Sequence, residues 1–139
     1  MVERSVLMTR RIIYTSRSLI GADPDGIAAI VSSSIRWNTE VGVTGMLWAD
    51  GSSFAQVIEG IPDKVEATLD RIRTDRRHTD IEVLLDRVVL SRQFGTWSMQ
   101  LAGDDEASTH RTAFLMGFAR GEHPKAARRL YEIVLAVGG

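Results

Sequence analysis

The chain has 139 residues, which is the length of about one domain. Apolar residues make up 44% and charged residues 25%, so about two-thirds of the unfolded surface can be buried around a core that needs no disulfides. The 17 Lys and Arg nearly balance the 18 Asp and Glu, which argues against a dedicated binder of nucleic acids or acidic membranes.

Several kinds of chemistry are excluded by the residues that are missing. There is no cysteine, so disulfides, thiol nucleophiles and iron–sulfur ligation are ruled out. The three histidines are far apart and form no HExxH pattern, so no metal site is expected. The longest uncharged stretch, residues 93–103, has eleven residues against the roughly 20 that cross a bilayer, and no signal-peptide pattern is found. We expect a cytoplasmic protein without a membrane or nucleic-acid partner.

The predicted elements follow the order β-α-β-β-α-β-β. β-branched or alternating runs predict strands at 11–16, 43–49, 53–59, 81–90 and 94–101. A first helix stops before Gly42, Asp50 and Gly51 predict a hairpin, and Pro62 opens a second helix. The first six elements match the ferredoxin-like split βαβ motif, so we expect an α+β fold with two helices on one face of the sheet.

Two further amphipathic helices are predicted in residues 103–139, separated by Gly121 and Pro124. Their apolar positions are Phe114, Leu115, Phe118, Ala127, Leu130, Ile133, Val134 and Val137. We expect them to pack on the sheet face that the first two helices leave bare, or on a second subunit in a homo-oligomer.

Several polar residues lie at positions where the pattern predicts apolar ones, and the sequence alone does not decide whether each is exposed or buried. Asn38 continues the apolar stripe of the first helix and is either a C-cap or a buried amide that needs partners. Gln56 lies in a strand between apolar neighbours and is either on a solvated edge or serves a buried partner. The position of Tyr14 is typical of a residue in the hydrophobic core, and its hydroxyl needs a hydrogen-bond acceptor if it is buried. The alternation of side chains along the last predicted strand also places Trp97 and Met99 in the hydrophobic core.

A charged cluster ends the second helix and is either a solvated helix end or an anion site. It consists of Arg71, Arg73, Asp75, Arg76, Arg77 and His78. No GxSxG, P-loop or GxGxxG motif occurs, and nothing brings Glu59 and Asp75 together as an acid/base pair. The residues alone therefore predict a small α+β domain with amides and a tyrosine near its core, and no particular ligand.

Five segments resemble, in order, the successive blocks of BLUF domains, which sense blue light with FAD. They are YTS at Tyr14, WNTEVGVTGML, FAQVIEG, RIRTDRRH and FGTWSM. The resemblance implies that residues 10–102 bind FAD noncovalently and that residues 103–139 form a helical cap or output extension. It implies a photosensory protein without an enzymatic domain of its own.

The resemblance also implies roles for individual residues. Tyr14 and Gln56 form the photochemical switch, and Trp97 and Met99 relay the signal. The cofactor is held by Asn38, Gln56, Arg71, Asp75 and His78. Trp37 departs from the pattern, since some members have a polar residue there, and it is expected to alter how the edge of the ring is gripped.

Blue light is expected to drive electron and proton transfer from Tyr14 toward the flavin. Gln56 then rotates or tautomerises, the flavin absorption shifts to the red, and the signal passes to a separate effector protein. One alternative is a flavin-free protein-interaction module of the same fold. Another alternative is a small ferredoxin-like hydrolase, for which Arg17 is the one candidate anion-binding residue. The sequence around Arg17 lacks the glycine-rich loop that such a hydrolase would need.

Overall fold

The computed structural model describes residues 8–21, 23–50, 52–92, 100–102, 115–122 and 124–135. Residues 115–122 are helical, and the other elements are β1 (Thr9–Ser18), α1 (Pro24–Val41), β2 (Thr44–Ala49), β3 (Ser53–Gly60), α2 (Pro62–Arg73), β4 (His78–Val89), β5 (Gln100–Ala102) and α3 (Pro124–Leu135). The predicted order is confirmed. β1 and β4 begin earlier than predicted, and most of the predicted last strand lies outside the described residues. No helix in the described ranges combines the length and apolar composition that a membrane span requires.

The strands form one sheet in the order β4-β1-β3-β2-β5. β1 pairs antiparallel with β3 and β4, β2 pairs antiparallel with β3, and β5 runs parallel to β2. β1 and β3 therefore have a neighbour on each side, and the polar side chains of Arg11, Gln56 and Glu59 are buried rather than placed at an edge. In the β1–β3 register, Tyr14 lies opposite Gln56 and Arg11 lies opposite Glu59.

Local signals set the ends of α1 and the β2–β3 turn. Gly42 ends α1 with φ of 76°, a left-handed conformation that glycine adopts without steric cost, and its N–H donates to the carbonyl of Asn38. Asn38 is therefore inside the helix, and its interpretation as a C-cap is wrong. The Asp50 carboxylate accepts from the N–H groups of Ser52 and Ser53 at 2.6 and 2.7 Å, which closes the predicted hairpin.

The sheet has an apolar cluster on each face. On the face covered by α1 and α2, here called the helix side, Ile12, Tyr14, Val43 and Ile58 pack against Val65 and Leu69 of α2, and Leu47 and Phe54 form a second cluster. The opposite face, here called the tail side, packs Ile13, Met46, Trp48, Ala55 and Val57 against Leu115, Met116, Ala119, Ala127 and Leu130. The helical tail thus covers the second face, as predicted. Phe114 and Val137 lie outside the described residues.

Candidate functional site

A cleft opens between α1, α2 and the helix side of the sheet. α1 packs loosely, because Asn38 is the one buried residue along its length, whereas α2 buries Val65, Thr68 and Leu69. The inner part of the cleft and the adjoining outer part each enclose a cavity of about 40 Å³. Each cavity is smaller than the roughly 300–1,000 Å³ typical of small-molecule sites, so a ring enters the cleft only if α1 and α2 move apart. The two parts share the residues Ser34, Gln56, Ile72, Asp75 and Arg77.

The floor of the cleft carries a buried tyrosine–glutamine pair. The Tyr14 hydroxyl donates to Oε1 of Gln56, and both side chains are buried. Gln56 is therefore not at a solvated edge, and the alternative of a buried amide with a partner is confirmed. Burial, reinforced by the negative charge of Asp75, raises the pKa of the Tyr14 phenol. The phenol therefore keeps its proton at neutral pH and acts as a donor.

His78 forms one wall with its ring orientation fixed at both nitrogens. Its Nε2 lies 2.8 Å from the carbonyl oxygen of Ile72, which can only accept, so Nε2 carries a proton. Nδ1 lies 2.6 Å from Oγ of Ser16, and in the neutral ring it accepts from that hydroxyl. The ring centroids of Tyr14 and Phe54 lie 6.4 and 6.1 Å from that of His78, so the imidazole packs beside the tyrosine of the switch.

Asp75 and Arg77 form an ion pair that lines both parts of the cleft. Nε of Arg77 donates to Oδ1 of Asp75 at 2.9 Å, and Nη2 donates to Oδ2 at 2.6 Å. These bonds hold the pKa of the Asp75 carboxyl below its usual range despite partial burial. Arg77 was not singled out from the sequence as a cleft residue. Its alternation with Asp75 could have indicated that both side chains point inward.

A contact between the two helices lies along the outer part of the cleft. The Arg71 guanidinium lies over the Trp37 ring, 5.0 Å from its centroid, and Nε1 of Trp37 donates to Oγ1 of Thr68 at 3.0 Å. Arg71 also donates from Nη1 to the Ser33 carbonyl at 3.5 Å. Trp37 and Arg71 therefore join α1 to α2 beside the buried Asn38, and all three residues line the outer part.

The cleft brings together six of the eight residues predicted for the site. They are Tyr14, Asn38, Gln56, Arg71, Asp75 and His78. Trp97 and Met99 lie outside the described residues. The interpretation as a solvated helix end holds for Arg73 and Arg76, which are exposed. Arg71 is also exposed but lies against Trp37 in the outer part of the cleft, and Asp75, Arg77 and His78 are half-buried. Glu59 faces the tail side, so it forms no pair with Asp75.

The residues of the cleft fit a flat ring with a polar edge. The amides of Asn38 and Gln56 offer both donors and acceptors, as the imide N–H and carbonyl groups of a flavin require. Guanidinium groups from Arg71 and Arg77 add donors along the same cleft. The apolar walls of the cleft come from the sheet and from both helices. Alternation along β2 and β3 places Leu47 and Phe54 on the helix side, and Ile30 and Ile72 face them from α1 and α2.

Comparison with known proteins identifies the family. A family model described as sensors of blue-light using FAD matches residues 9–100. A photoactivated adenylate cyclase subunit beta of Euglena longa is 31% identical over 103 residues, which are 73% of this chain and 12% of that protein. The blue light- and temperature-regulated antirepressor BluF of Escherichia coli strain K12 is 34% identical over 94 residues, 68% of this chain and 23% of that protein. The chain thus spans less than a quarter of these relatives.

Solved structures agree on the fold. The dark state of BlrB, a BLUF protein, superimposes with a TM-score of 0.72 at 23% identity, over 95% of this chain and 98% of that one. The photo-activated state of BlsA gives a TM-score of 0.69 at 20% identity, over 91% and 94% of the two chains. Because the family model spans most of the chain and the fold agrees, this protein belongs to the BLUF family, the sensors of blue light that use FAD.

Proposed function

We propose that this chain is a blue-light photoreceptor that binds FAD noncovalently in the cleft between α1 and α2. The observation that carries the proposal is the buried hydrogen bond from Tyr14 to Gln56 at the floor of that cleft. Membership of a family described as using FAD supports the choice of cofactor. When bound, the flavin supplies the absorption of blue light and accepts an electron.

Tyr14 and Gln56 form the switch in this proposal. Tyr14 would supply an electron to the flavin and pass its phenolic proton along the existing hydrogen bond to Oε1 of Gln56. The amide nitrogen of Gln56 would in turn release a proton toward the flavin, so that Gln56 rotates or tautomerises without gaining charge, and the electron and one proton would return to Tyr14 on recovery of the dark state. Because an amide accepts at one end and donates at the other, this change reverses the hydrogen bond that Gln56 offers to the cleft. Two arrangements of the same side chains then exist, and a partner that binds them unequally can read the difference.

The other cleft residues hold the ring in place. The buried Asn38 would offer its amide to the polar edge of the ring from α1, and Arg71, which lies against Trp37, would hold the ring from α2. Asp75 and His78 line the inner part, where the charge of Asp75 is balanced by Arg77 and the ring of His78 is fixed by Ser16 and Ile72.

The output leaves through other parts of the protein. We propose that Trp97 and Met99 relay the signal from residues 10–102 to the helical extension of residues 103–139, and from there to a separate effector protein. We also propose that this chain forms a homo-oligomer. Relatives named as a photoactivated adenylate cyclase and an antirepressor support an effector of variable kind.

The alternatives receive less support from the described residues. A flavin-free interaction module gives no reason for the loose packing of α1 over a cleft lined with amides and guanidinium groups. A hydrolase would need Arg17 in an anion site, but Arg17 lines neither part of the cleft, and its side chain is exposed beside Asp80.

The test is the difference in absorption between light and dark for the chain purified with FAD. We expect the wild type to be yellow and to shift its flavin bands reversibly to the red under blue light. Gln56→Leu should keep FAD, because most of the cleft wall is unchanged, and should lose the red shift. A colourless wild type that takes up no added FAD would support the flavin-free alternative, and a normal red shift in Gln56→Leu would overturn the role of Gln56.

A further inference from the structure

A buried group of charges lies on the tail side of the sheet, opposite the cleft. Arg11 lies 2.7 Å (Nε) and 2.6 Å (Nη2) from Oε2 of Glu59, and its Nη1 lies 2.8 Å from Oε1 of Glu122. Arg87 adds two bonds to Glu122 at 2.8 and 3.0 Å. The side chains of Arg11 and Glu59 are 4% and 0% exposed. These four residues are here called the Arg11 cluster.

The Arg11 cluster joins the tail to the sheet. Three of its members lie on β1, β3 and β4, and Glu122 is the one supplied by the helical residues 115–122. Phe118, from the same helical residues, lies against the Arg11 guanidinium, which is 4.9 Å from the centroid of its ring. With two cations and two carboxylates the cluster is neutral, and if Glu122 leaves, the buried Arg11 and Glu59 remain a neutral pair. The tail can therefore detach without leaving an unpaired charge inside the sheet.

The Arg11 cluster and the switch belong to the same pair of strands. Arg11 lies opposite Glu59, and Tyr14 opposite Gln56, in one β1–β3 register. The two pairs are three residues apart, so alternation places them on opposite faces of the sheet. The same stretch of paired backbone therefore positions Tyr14 and Gln56 on the helix side and Arg11 and Glu59 on the tail side.

An unused hydroxyl lies beside this cluster. Thr44 is opposite Glu59 in the β2–β3 register, and its buried Oγ1 has no hydrogen-bond partner within the described part of the chain. A buried hydroxyl without a partner is unfavourable. Thr44 is thus a donor on the same face of the sheet as Glu59 that the present arrangement leaves without an acceptor.

We propose that the Arg11 cluster is a latch that holds the tail on the sheet and opens when Tyr14 and Gln56 rearrange. In the open state Glu122 and Phe118 leave Arg11, while Glu59 keeps Arg11 and gains the Thr44 hydroxyl. The light-dependent part rests on the proposed photoreceptor function. The part that concerns tail docking in the dark rests on the contacts of the Arg11 cluster alone.

The test is amide hydrogen exchange of peptides from residues 115–135, measured on the full chain with FAD in the dark and under blue light. In the wild type we expect illumination to raise this exchange about tenfold. Glu122→Gln should raise the dark exchange to the illuminated level and leave the red shift intact. Thr44→Val should exchange as the wild type does in the dark and should lose most of the increase in light. If Glu122→Gln fails to fold, Arg87→Gln removes the exposed cation on Glu122 and should raise the dark exchange severalfold.

Glu132→Gln is the matched control. It removes an exposed carboxylate of the same tail, paired with Arg129 and not with the Arg11 cluster, and should behave as the wild type. Wild-type exchange in both Glu122→Gln and Arg87→Gln would overturn the latch. A wild type that shifts to the red while its tail exchange stays constant would overturn the coupling and leave the photoreceptor proposal standing. A wild type without any red shift would overturn the photoreceptor and the light-dependent release, and the dark exchange of Glu122→Gln would still decide the docking role.

Discussion

Single polar residues determine what the cleft can do, and their burial depends on tertiary structure. Spacing alone left Asn38 as either a cap or a buried amide, because both fit the end of an amphipathic helix. Gly42 takes the cap four residues later, which leaves Asn38 inside the helix and facing the cleft. Gln56 was ambiguous until β3 was placed between β1 and β2, since an amide in a strand is equally compatible with an edge.

The burial of Tyr14 gives a prediction at high pH. Its pKa is raised in the folded chain above the value of about 10 for an exposed phenol, so the unfolded chain loses this proton first as the pH rises. Tyr14 therefore contributes stability that is fully present below about pH 10 and is lost above it, by up to about 1.4 kcal/mol for each pH unit.

Urea unfolding of the flavin-free chain between pH 9 and 11 measures this effect. The wild type should lose stability more steeply than Tyr14→Phe above about pH 10, and the difference isolates the one phenol that was removed. Identical slopes for the two proteins would mean that the Tyr14 phenol is not shielded from solvent as described.

The ends of helices and the β2–β3 turn could be predicted from local sequence signals, whereas contacts between residues far apart in the sequence could not. The Asp50 turn, Pro62 at the start of α2 and Gly42 at the end of α1 act within a few residues, and each was predicted correctly. The start of β4 was not predicted, because its residues are half-exposed or exposed without regular alternation and the strand depends on pairing with β1, which is far away in sequence. The Arg11–Glu59 pair was missed for the same reason, since its two partners are 48 residues apart.

Gly45 and Gly117 differ in how much space surrounds them. A Cβ on Gly45 would overlap the carbonyl oxygen of Val57 across the β2–β3 pair, whereas a Cβ on Gly117 meets nothing within 4 Å. We expect Gly45→Ala to destabilise the fold by at least about 2 kcal/mol, because the strands must move apart. Gly117→Ala should stabilise it by up to about 1 kcal/mol, because alanine favours a helix.

The free energies of unfolding of the two variants in urea, compared with that of the wild type, check this pair. Equal and small effects would show that β2 and β3 do not approach as closely at Gly45 as described. A large loss of stability in Gly117→Ala would contradict the open helical position of residue 117.

In the whole molecule the sheet separates two functions. The helix side bears the cleft, and the tail side bears an apolar surface that the tail covers. The sequence predicted this division, because two helices cover one face of such a sheet and the tail has apolar stripes that need a surface. Which strands connect the two sides could not be predicted, because that depends on the register of β1 with β3.

Removing the tail tests this division. Truncation after Gly103 takes away Leu115 and Leu130, both fully buried, and burial of each such side chain contributes about 1.5–3 kcal/mol. We expect the truncated protein to bind FAD and keep its red shift, because the cleft lies on the other face. It should aggregate or change its oligomeric state, which light scattering after size-exclusion chromatography would measure. A truncated protein that stays monodisperse in the state of the full chain would contradict the covering role of the tail.

Time-resolved flavin fluorescence of the wild type and Tyr14→Phe tests whether Tyr14 and Gln56 form the switch beneath a bound flavin. The variant keeps the aromatic ring in the core but lacks the hydroxyl that donates to Gln56. We predict rapid decay of the emission in the wild type, a severalfold longer lifetime in Tyr14→Phe, and no red-shifted product in the variant. Equal lifetimes, together with a wild-type yield of the red-shifted product in Tyr14→Phe, would contradict the account.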